Sequence, residues 1–203
     1  MCATPAFQSV AIGCTQRRAL PWRVPYPTLV VISGPPGAGK TTLAHALAQA
    51  LGWPVICRDE IKEDLARSLP GFIPGPEDVL ARQASRAFFD AWGELLDRGA
   101  SLVAEAAFQH HVWQPQLEPF IGRTELRVVQ CTLDPALARE RVRERLVTDP
   151  QSRAAHADAA VLAAPPSPFI PLSLAVPTLH VDTTAGYRPD FERIVAFARA
   201  RSS

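Results

Sequence analysis

The most constraining feature of the sequence is the stretch Gly34-Pro-Pro-Gly-Ala-Gly-Lys-Thr41, which satisfies the pattern G-x-x-x-x-G-K-[ST]. An apolar, β-branched run over residues 28–33 precedes it, and a helical pattern over residues 41–51 follows it. Glycines let the backbone turn so that its N–H groups face phosphate oxygens at the positive end of the following helix. The stretch therefore predicts a P-loop that binds a nucleoside triphosphate.

The residue types in this loop predict a role for each position. Lys40 supplies a point charge for the β- and γ-phosphates, and the Thr41 hydroxyl completes the shell of a Mg²⁺ ion. We expect ATP and Mg²⁺ as cofactors. The sequence contains no Asn, so it lacks the N-K-x-D base-reading motif of a GTPase. The predicted nucleotide-binding residues are Gly34, Pro35, Pro36, Gly37, Ala38, Gly39, Lys40, Thr41 and Thr42.

Strand and helix patterns alternate along the rest of the chain, which predicts an α/β P-loop NTPase fold. Five strands are expected, at residues 28–33, 54–57, 101–105, 125–132 and 178–182, in a parallel sheet covered by helices on both faces. The helices are expected at residues 41–51, 59–68, 77–98, 112–121, 135–147 and 189–201. Residues 149–171 are rich in Ala, Pro and Ser and are interpreted as a mobile lid with a small helix at 157–163.

Composition narrows the function further. The 203 residues suit one compact domain, with residues 1–27 as an irregular tail and 28–203 as the kinase-like domain. The 21 basic and 20 acidic residues nearly balance. We therefore do not expect nucleic acid or a membrane surface to be the main partner. The four cysteines show neither a C-x-x-C pair nor a histidine spacing suited to zinc, and Cys57 and Cys131 are predicted to be buried thiols. A cytoplasmic protein is expected.

Asp59 is the candidate general base because it follows the second predicted strand and so projects from the same sheet edge as the P-loop. A carboxylate there can accept the proton of an attacking hydroxyl. The alternative is that Asp59 only caps the following helix. Lys62, three residues later, could hold the acceptor or the moving phosphoryl group, or it could be a solvated helix lysine.

Two further sets of charged residues are candidates. Glu105 ends the third strand, where a carboxylate orients Mg²⁺ through water or binds the acceptor. Arg139, Arg141, Arg143 and Arg145 lie on one helix, and i, i+4 spacing places Arg141 with Arg145 on one face. Such a pair could cover the transferring group, or it could be part of a solvated face paired with Glu140 and Glu144. His156 is either part of a closing lid or an exposed loop histidine.

The chain resembles the P-loop kinase group of small bacterial proteins often called AAA-family ATPases or predicted kinases. More distantly, it is similar to chloramphenicol phosphotransferase, zeta toxins and the kinase domain of polynucleotide kinase. The resemblance rests on residues 34–42, on Cys57-Arg-Asp-Glu-Ile-Lys-Glu63, on Ala104-Glu-Ala-Ala-Phe108, on the helix of residues 139–145 and on Val181-Asp-Thr-Thr184. It implies a general base at Asp59, a basic partner at Lys62 and lid arginines at Arg141 and Arg145.

These observations predict an ATP-dependent phosphotransferase that acts on a hydroxyl of a small molecule. We expect residues 70–76, the helix through Phe88 and Phe89, and residues 108–113 to build the acceptor pocket. Two alternatives stay open. One is a regulatory or toxin-like ATPase that acts through a protein partner. The other is a kinase for nucleic-acid 5′-hydroxyl groups, against which the near-neutral charge counts.

Overall fold

The computed structural model describes residues 26–75, 78–164 and 168–200. The predicted tail therefore lies outside the described residues except for its last two positions. The described part contains the strands β1 (Thr28–Ser33), β2 (Val55–Cys57), β3 (Leu102–Glu105), β4 (Glu125–Thr132) and β5 (Thr178–Asp182). It also contains the helices α1 (Lys40–Leu51), α2 (Arg58–Arg67), α3 (Val79–Asp97), α4 (His110–Leu117), α5 (Pro135–Thr148), α6 (Pro150–Ala155), α7 (Asp158–Ala163) and α8 (Phe191–Arg199), with a 3₁₀ turn at Glu118–Phe120.

The five strands form one parallel sheet in the order β2-β3-β1-β4-β5, which confirms the predicted fold class. Central strand β1 pairs with β3 on one side and with β4 on the other. At the carboxyl edge, Glu105 lies in register with Ile32 of β1 and with Cys57 of β2. The sheet therefore brings the residues that follow β1, β2 and β3 to one edge, where ligands bind in open α/β sheets.

Apolar side chains cover both faces of the sheet, as a buried parallel sheet requires. One cluster joins Val30 and Ile32 to Leu43 and Leu47 of α1 and to Ile194 of α8. The other cluster joins the alternate strand residues to α3 and α4, through Leu29, Val31, Phe88, Trp92 and Trp113. Because consecutive strand residues point to opposite faces, the unbroken apolar run of β1 supplies both clusters.

Most element boundaries lie within one or two residues of the expectation, and the differences in α8, α4 and the lid are the informative ones. Helix α8 begins at Phe191 rather than at residue 189, because the Asp190 side chain accepts the Arg193 N–H at 2.9 Å and so caps it. Helix α4 begins at His110 instead of residue 112 and continues as the 3₁₀ turn. The lid region, expected to be mobile, contains α6 as well as the expected α7, and Ala155 at the end of α6 is fully buried.

Candidate active site

Close backbone packing in the P-loop explains two of its glycines. A Cβ at Gly34 would lie 2.6 Å from the carbonyl oxygen of Cys131, and a Cβ at Gly37 would lie 2.5 Å from that of Ala138. Both glycines have positive φ angles, 152° and 79°. Gly39 occupies the N-cap position of α1 with φ 68°, so the loop leads directly into the helix N-terminus. This backbone has the form that the motif predicts for a phosphate cradle.

Lys40, Thr41 and Glu105 meet at the carboxyl edge of the sheet. The Thr41 hydroxyl donates to Glu105 Oε2 at 3.1 Å, and Lys40 Nζ lies 3.7 Å from Glu105 Oε1 and donates to the carbonyl of Pro35 at 3.2 Å. Glu105 is only 1% exposed. The structure thus places the predicted Walker-B-like carboxylate beside both functional P-loop side chains.

The surroundings of Glu105 suit a hard divalent cation. Burial raises its pKa above the ordinary value, the charge of Lys40 opposes this rise, and the negative charge of Asp59 adds to it. Its Oε1 is buried and accepts no hydrogen bond from the described residues. A buried carboxylate oxygen that accepts no hydrogen bond, and a neighbouring hydroxyl, are ligand types that Mg²⁺ binds, directly or through water. The residues therefore fit the expected ion.

Asp59 is not a helix cap in this structure. Helix α2 begins at Arg58, its N-cap position is Cys57, and no side chain of the described residues caps it. The Asp59 carboxylate instead accepts from Arg58 Nη1 at 3.2 Å. Arg58 is held in turn by α3, because its Nε donates to Ser85 Oγ at 3.1 Å and its Nη2 to the carbonyl of Ala81 at 3.0 Å. Arg58 therefore positions Asp59.

Positive groups surround the Asp59 carboxylate. Burial alone would raise its pKa, but the charges of His156, Lys40, Arg58 and Arg145 together hold that pKa below the ordinary value. Asp59 is therefore ionised at neutral pH, whereas the pKa of nearby Glu105 is raised. Two carboxylates whose pKa values are pushed in opposite directions indicate different chemical roles.

Lys62 lies in a buried ion pair. The residue is only 5% exposed, and its Nζ donates to Asp78 Oδ2 at 2.8 Å. The same Asp78 carboxylate caps α3 by accepting the Ala81 N–H at 2.7 Å. Burial raises the pKa of Asp78, but the hydrogen bonds from Lys62 and the backbone lower that pKa by more, so that it lies below the ordinary value. Lys62 thus ties α2 to the start of α3 and is not a solvated lysine; its contact with an acceptor stays a prediction.

The arginines of α5 divide between the P-loop and the lid. Arg141 donates to the carbonyl of Gly37 at 3.4 Å and to those of Thr183 and Thr184 at 3.2 and 3.3 Å. Arg145 binds Asp158 of α7 through Nε and Nη2, at 3.1 and 2.7 Å. Both therefore lie on the site-facing side of α5, as the i, i+4 spacing predicts.

The remaining α5 arginines and the lid histidine also have defined positions. Arg139 donates to the carbonyl of Leu162 in α7, while Arg143 is exposed. His156 lies between α6 and α7, with its Nε2 3.2 Å from Glu63 Oε1 of α2. The segment with α6 and α7 therefore contacts α2 on the side that carries Asp59, and His156 is not an exposed loop residue.

The sequence matches a known protein family. The AAA domain family matches residues 29–166, which is more than half of the chain. The chain belongs to this family. The match begins in β1 and includes the P-loop, Asp59, Glu105 and the arginines of α5.

Solved structures with the same fold include several kinases. A proposed kinase from Chloroflexus aurantiacus is 24% identical, with a TM-score of 0.74 over 88% of this chain and 100% of that one. A sugar kinase from Janibacter gives 18% identity and a TM-score of 0.55, over 85% and 92% of the two chains. The APS kinase of Mycobacterium tuberculosis, solved with AMPPNP and APS, gives 16% and 0.58, over 87% and 99%. These likenesses show that this family member has the fold of P-loop kinases.

One curated protein shares a short stretch of sequence. The genome polyprotein of vesicular exanthema of swine virus is 46% identical over 46 residues, which is 23% of this chain. The match spans 2% of the polyprotein, so it carries no argument about function. Among the described residues, no helix has the length and apolar character to cross a membrane.

The aromatic residues expected in the acceptor pocket belong mostly to the core. Phe88 and Phe108 are fully buried and Trp113 nearly so, and their rings pack against each other and against Trp92. These three rings do not line an open pocket, because the face of α3 that carries Phe88 covers the sheet. The acceptor pocket expected from the other residues of these segments stays a prediction. Phe89 is partly exposed.

Sequence reasoning missed two residues that shape this family member's site. Arg58 precedes Asp59 and fixes its carboxylate, as described above. Thr183 is buried, and its hydroxyl lies 3.0 Å from the carbonyl of Ala38 in the P-loop and 3.1 Å from that of Thr132. Both lie inside stretches that carry the family resemblance, so their position in those motifs was the available signal.

Proposed function

We propose that the protein is an ATP-dependent kinase that transfers the γ-phosphoryl group to a hydroxyl of a small molecule, with Asp59 as the general base. The observation that carries this proposal is the Asp59 carboxylate, which Arg58 holds at the sheet edge of the P-loop and which is not used as a helix cap. A carboxylate at this edge can accept the proton of an attacking hydroxyl. The family membership and the fold shared with P-loop kinases support the proposal.

The P-loop backbone and Lys40 would hold the phosphates in line with the acceptor. Thr41 and Glu105, the latter through water, would hold Mg²⁺, which neutralises charge on the phosphate oxygens. Asp59 would take the proton of the attacking hydroxyl, and the positive groups around it would stabilise charge on the transferring group. Arg141 lies against the P-loop, and Arg145 would reach the phosphoryl group once it exchanges its partner Asp158.

The acceptor would enter between Asp59 and the buried Lys62–Asp78 pair, near residues 70–75. Lys62 is proposed to contact it or, through Asp78, to hold the start of α3 in place. Small-molecule acceptors are favoured because the chain is near-neutral in charge.

The test is an acceptor screen with γ-labelled ATP and Mg²⁺ against panels of antibiotics, nucleosides, sugars and oligonucleotides. The proposal predicts label in a small product whose formation depends on the acceptor, with none formed by a Lys40→Ala variant. Slow phosphate release that no acceptor alters would instead favour the regulatory ATPase, and label on oligonucleotide 5′ ends would favour the nucleic-acid kinase.

A further inference from the structure

Three metal-ligating side chains outside the P-loop converge on one point. His45 lies in α1, Cys57 ends β2 and Glu60 lies in the first turn of α2. His45 Nε2 is 2.7 Å from Glu60 Oε1 and 3.8 Å from Cys57 Sγ, and all three donor atoms lie within 4.8 Å of one another. The three residues come from three different elements, so the fold and not local sequence brings them together.

The spacing of these atoms is close to that of a tetrahedral metal centre. Zinc binds thiolate at about 2.3 Å and imidazole or carboxylate at about 2.0–2.2 Å, which places the donors of a tetrahedral site about 3.3–3.6 Å apart. The distances of 2.7 and 3.8 Å lie on either side of this range, and the Cys57 and Glu60 donor atoms lie within 4.8 Å, so metal binding requires side-chain rotations. A thiolate, an imidazole and a carboxylate together suit Zn²⁺ and similar cations, whereas Mg²⁺ prefers oxygen donors.

Burial differs among the three ligands in a way that suits metal entry. The Cys57 residue is 2% exposed, whereas the side chains of His45 and Glu60 are 49% and 47% exposed. An ion can therefore approach from solvent, with the sulfur at the base of the site and a water as fourth ligand.

We propose that His45, Cys57 and Glu60 form a binding site for a thiophilic divalent cation of the Zn²⁺ class. On binding, the thiol S–H bond breaks, its proton goes to solvent and a sulfur–metal bond forms. The ion would link α1, which begins at the P-loop, to α2, which carries Asp59. The site shares no residue with the proposed Mg²⁺ position, although Cys57 pairs with Glu105 in the sheet, and it does not depend on phosphoryl transfer.

The test is a Co²⁺ titration of the full chain carrying Cys2→Ser and Cys14→Ser, in excess Mg²⁺, read by the near-ultraviolet thiolate-to-cobalt absorption. We expect a band that saturates at one equivalent and disappears when Zn²⁺ is added. The P-loop position offers only oxygen ligands and cannot produce this band, so failure of the proposed kinase activity would leave the result unchanged. Absence of a saturable band would overturn the proposal.

Variants assign the band to the three residues. Cys57→Ser should abolish it, and His45→Ala and Glu60→Gln should each weaken Co²⁺ binding at least about tenfold. Cys131→Ser, at the other buried cysteine, and His111→Ala, at an exposed histidine, should leave it unchanged. A band that persists in Cys57→Ser overturns the proposal. If that variant does not fold, unchanged affinity in both His45→Ala and Glu60→Gln overturns it as well.

Discussion

At the scale of single residues, the two carboxylates of the site differ in their surroundings. Asp59 and Glu105 are both carboxylates at the same sheet edge, yet cations lower the pKa of one and burial raises that of the other. The sequence placed both residues at this edge because parallel strands end there. It could not predict how their roles differ, since the cations around Asp59 come from α1, α2, α5 and the lid.

Gly37 provides a test of the P-loop backbone. Gly37→Ala places a Cβ against the carbonyl oxygen of Ala138 and should weaken the binding of a fluorescent ATP analogue at least about tenfold, as the loop must shift. The matched control is Gly52→Ala, where φ is also positive (68°) but an added Cβ would have no atom of the described residues within 4 Å, chain neighbours aside. Both variants should lose about 1–2 kcal/mol of stability from the left-handed backbone. Equal nucleotide affinities in the two variants would contradict the predicted role of the loop.

Lys62 provides a test of the buried ion pair. Lys62→Met leaves the Asp78 charge buried without its partner and should reduce the free energy of unfolding by about 3–5 kcal/mol in denaturant titrations at pH 7. Because the pKa of Asp78 is lowered in the folded protein, the ion pair stabilises above the ordinary Asp pKa and is lost as pH falls through the lowered value. The loss in the variant should therefore shrink in acid.

The control for Lys62 is the exposed ion pair between Arg67 and Asp64 on the same helix. Arg67→Met should cost less than about 1 kcal/mol, because exposed pairs contribute little. If Lys62→Met cost no more than Arg67→Met, the Lys62–Asp78 pair would have no structural role.

At the scale of elements, strands were predictable and the lid was not. β1, β4 and β5 have the expected bounds. β1 shows why, because an apolar, β-branched run between Pro27 and Gly34 defines a buried strand. Helix α6 was missed, although Asp149 followed by Pro150 is a recognisable helix start and the Asp149 side chain accepts from Gln151 N and Ser152 N. The Ala-, Pro- and Ser-rich composition of this segment favours a loop, whereas the cap at Asp149 favours a helix.

Helix α5 offers a test of how an element is tied to the P-loop. Arg141→Ala removes the hydrogen bonds to the carbonyls of Gly37, Thr183 and Thr184 and should weaken ATP binding at least about tenfold, measured by calorimetry. Arg143→Ala is the matched control, since that arginine lies on the same helix and is exposed. The account is contradicted if both variants bind ATP like the parent.

At the scale of the whole molecule, the P-loop motif and the alternation of strands with helices were enough to predict the fold. The P-loop fixes a strand and a helix, and the alternation of strands and helices then requires a parallel sheet with its ligand edge at the strand carboxyl ends. Contacts between distant elements could not be predicted from the sequence. Examples are the Lys62–Asp78 pair, the cluster of His45, Cys57 and Glu60, and the contact of His156 with Glu63. Each joins side chains whose approach depends on how helices pack.

The central claim is that Asp59 serves as the base in transfer to a hydroxyl. The most direct measurement is the single-turnover rate of phosphoryl transfer by Asp59→Asn, with an acceptor from the screen, beside its affinity for ATP. Asp64→Asn, an exposed position on the same helix, is the control. We expect Asp59→Asn to bind ATP like the parent and to transfer phosphate about 10²–10⁴-fold more slowly, with Asp64→Asn unaffected. Transfer by Asp59→Asn at the parent rate would contradict the account.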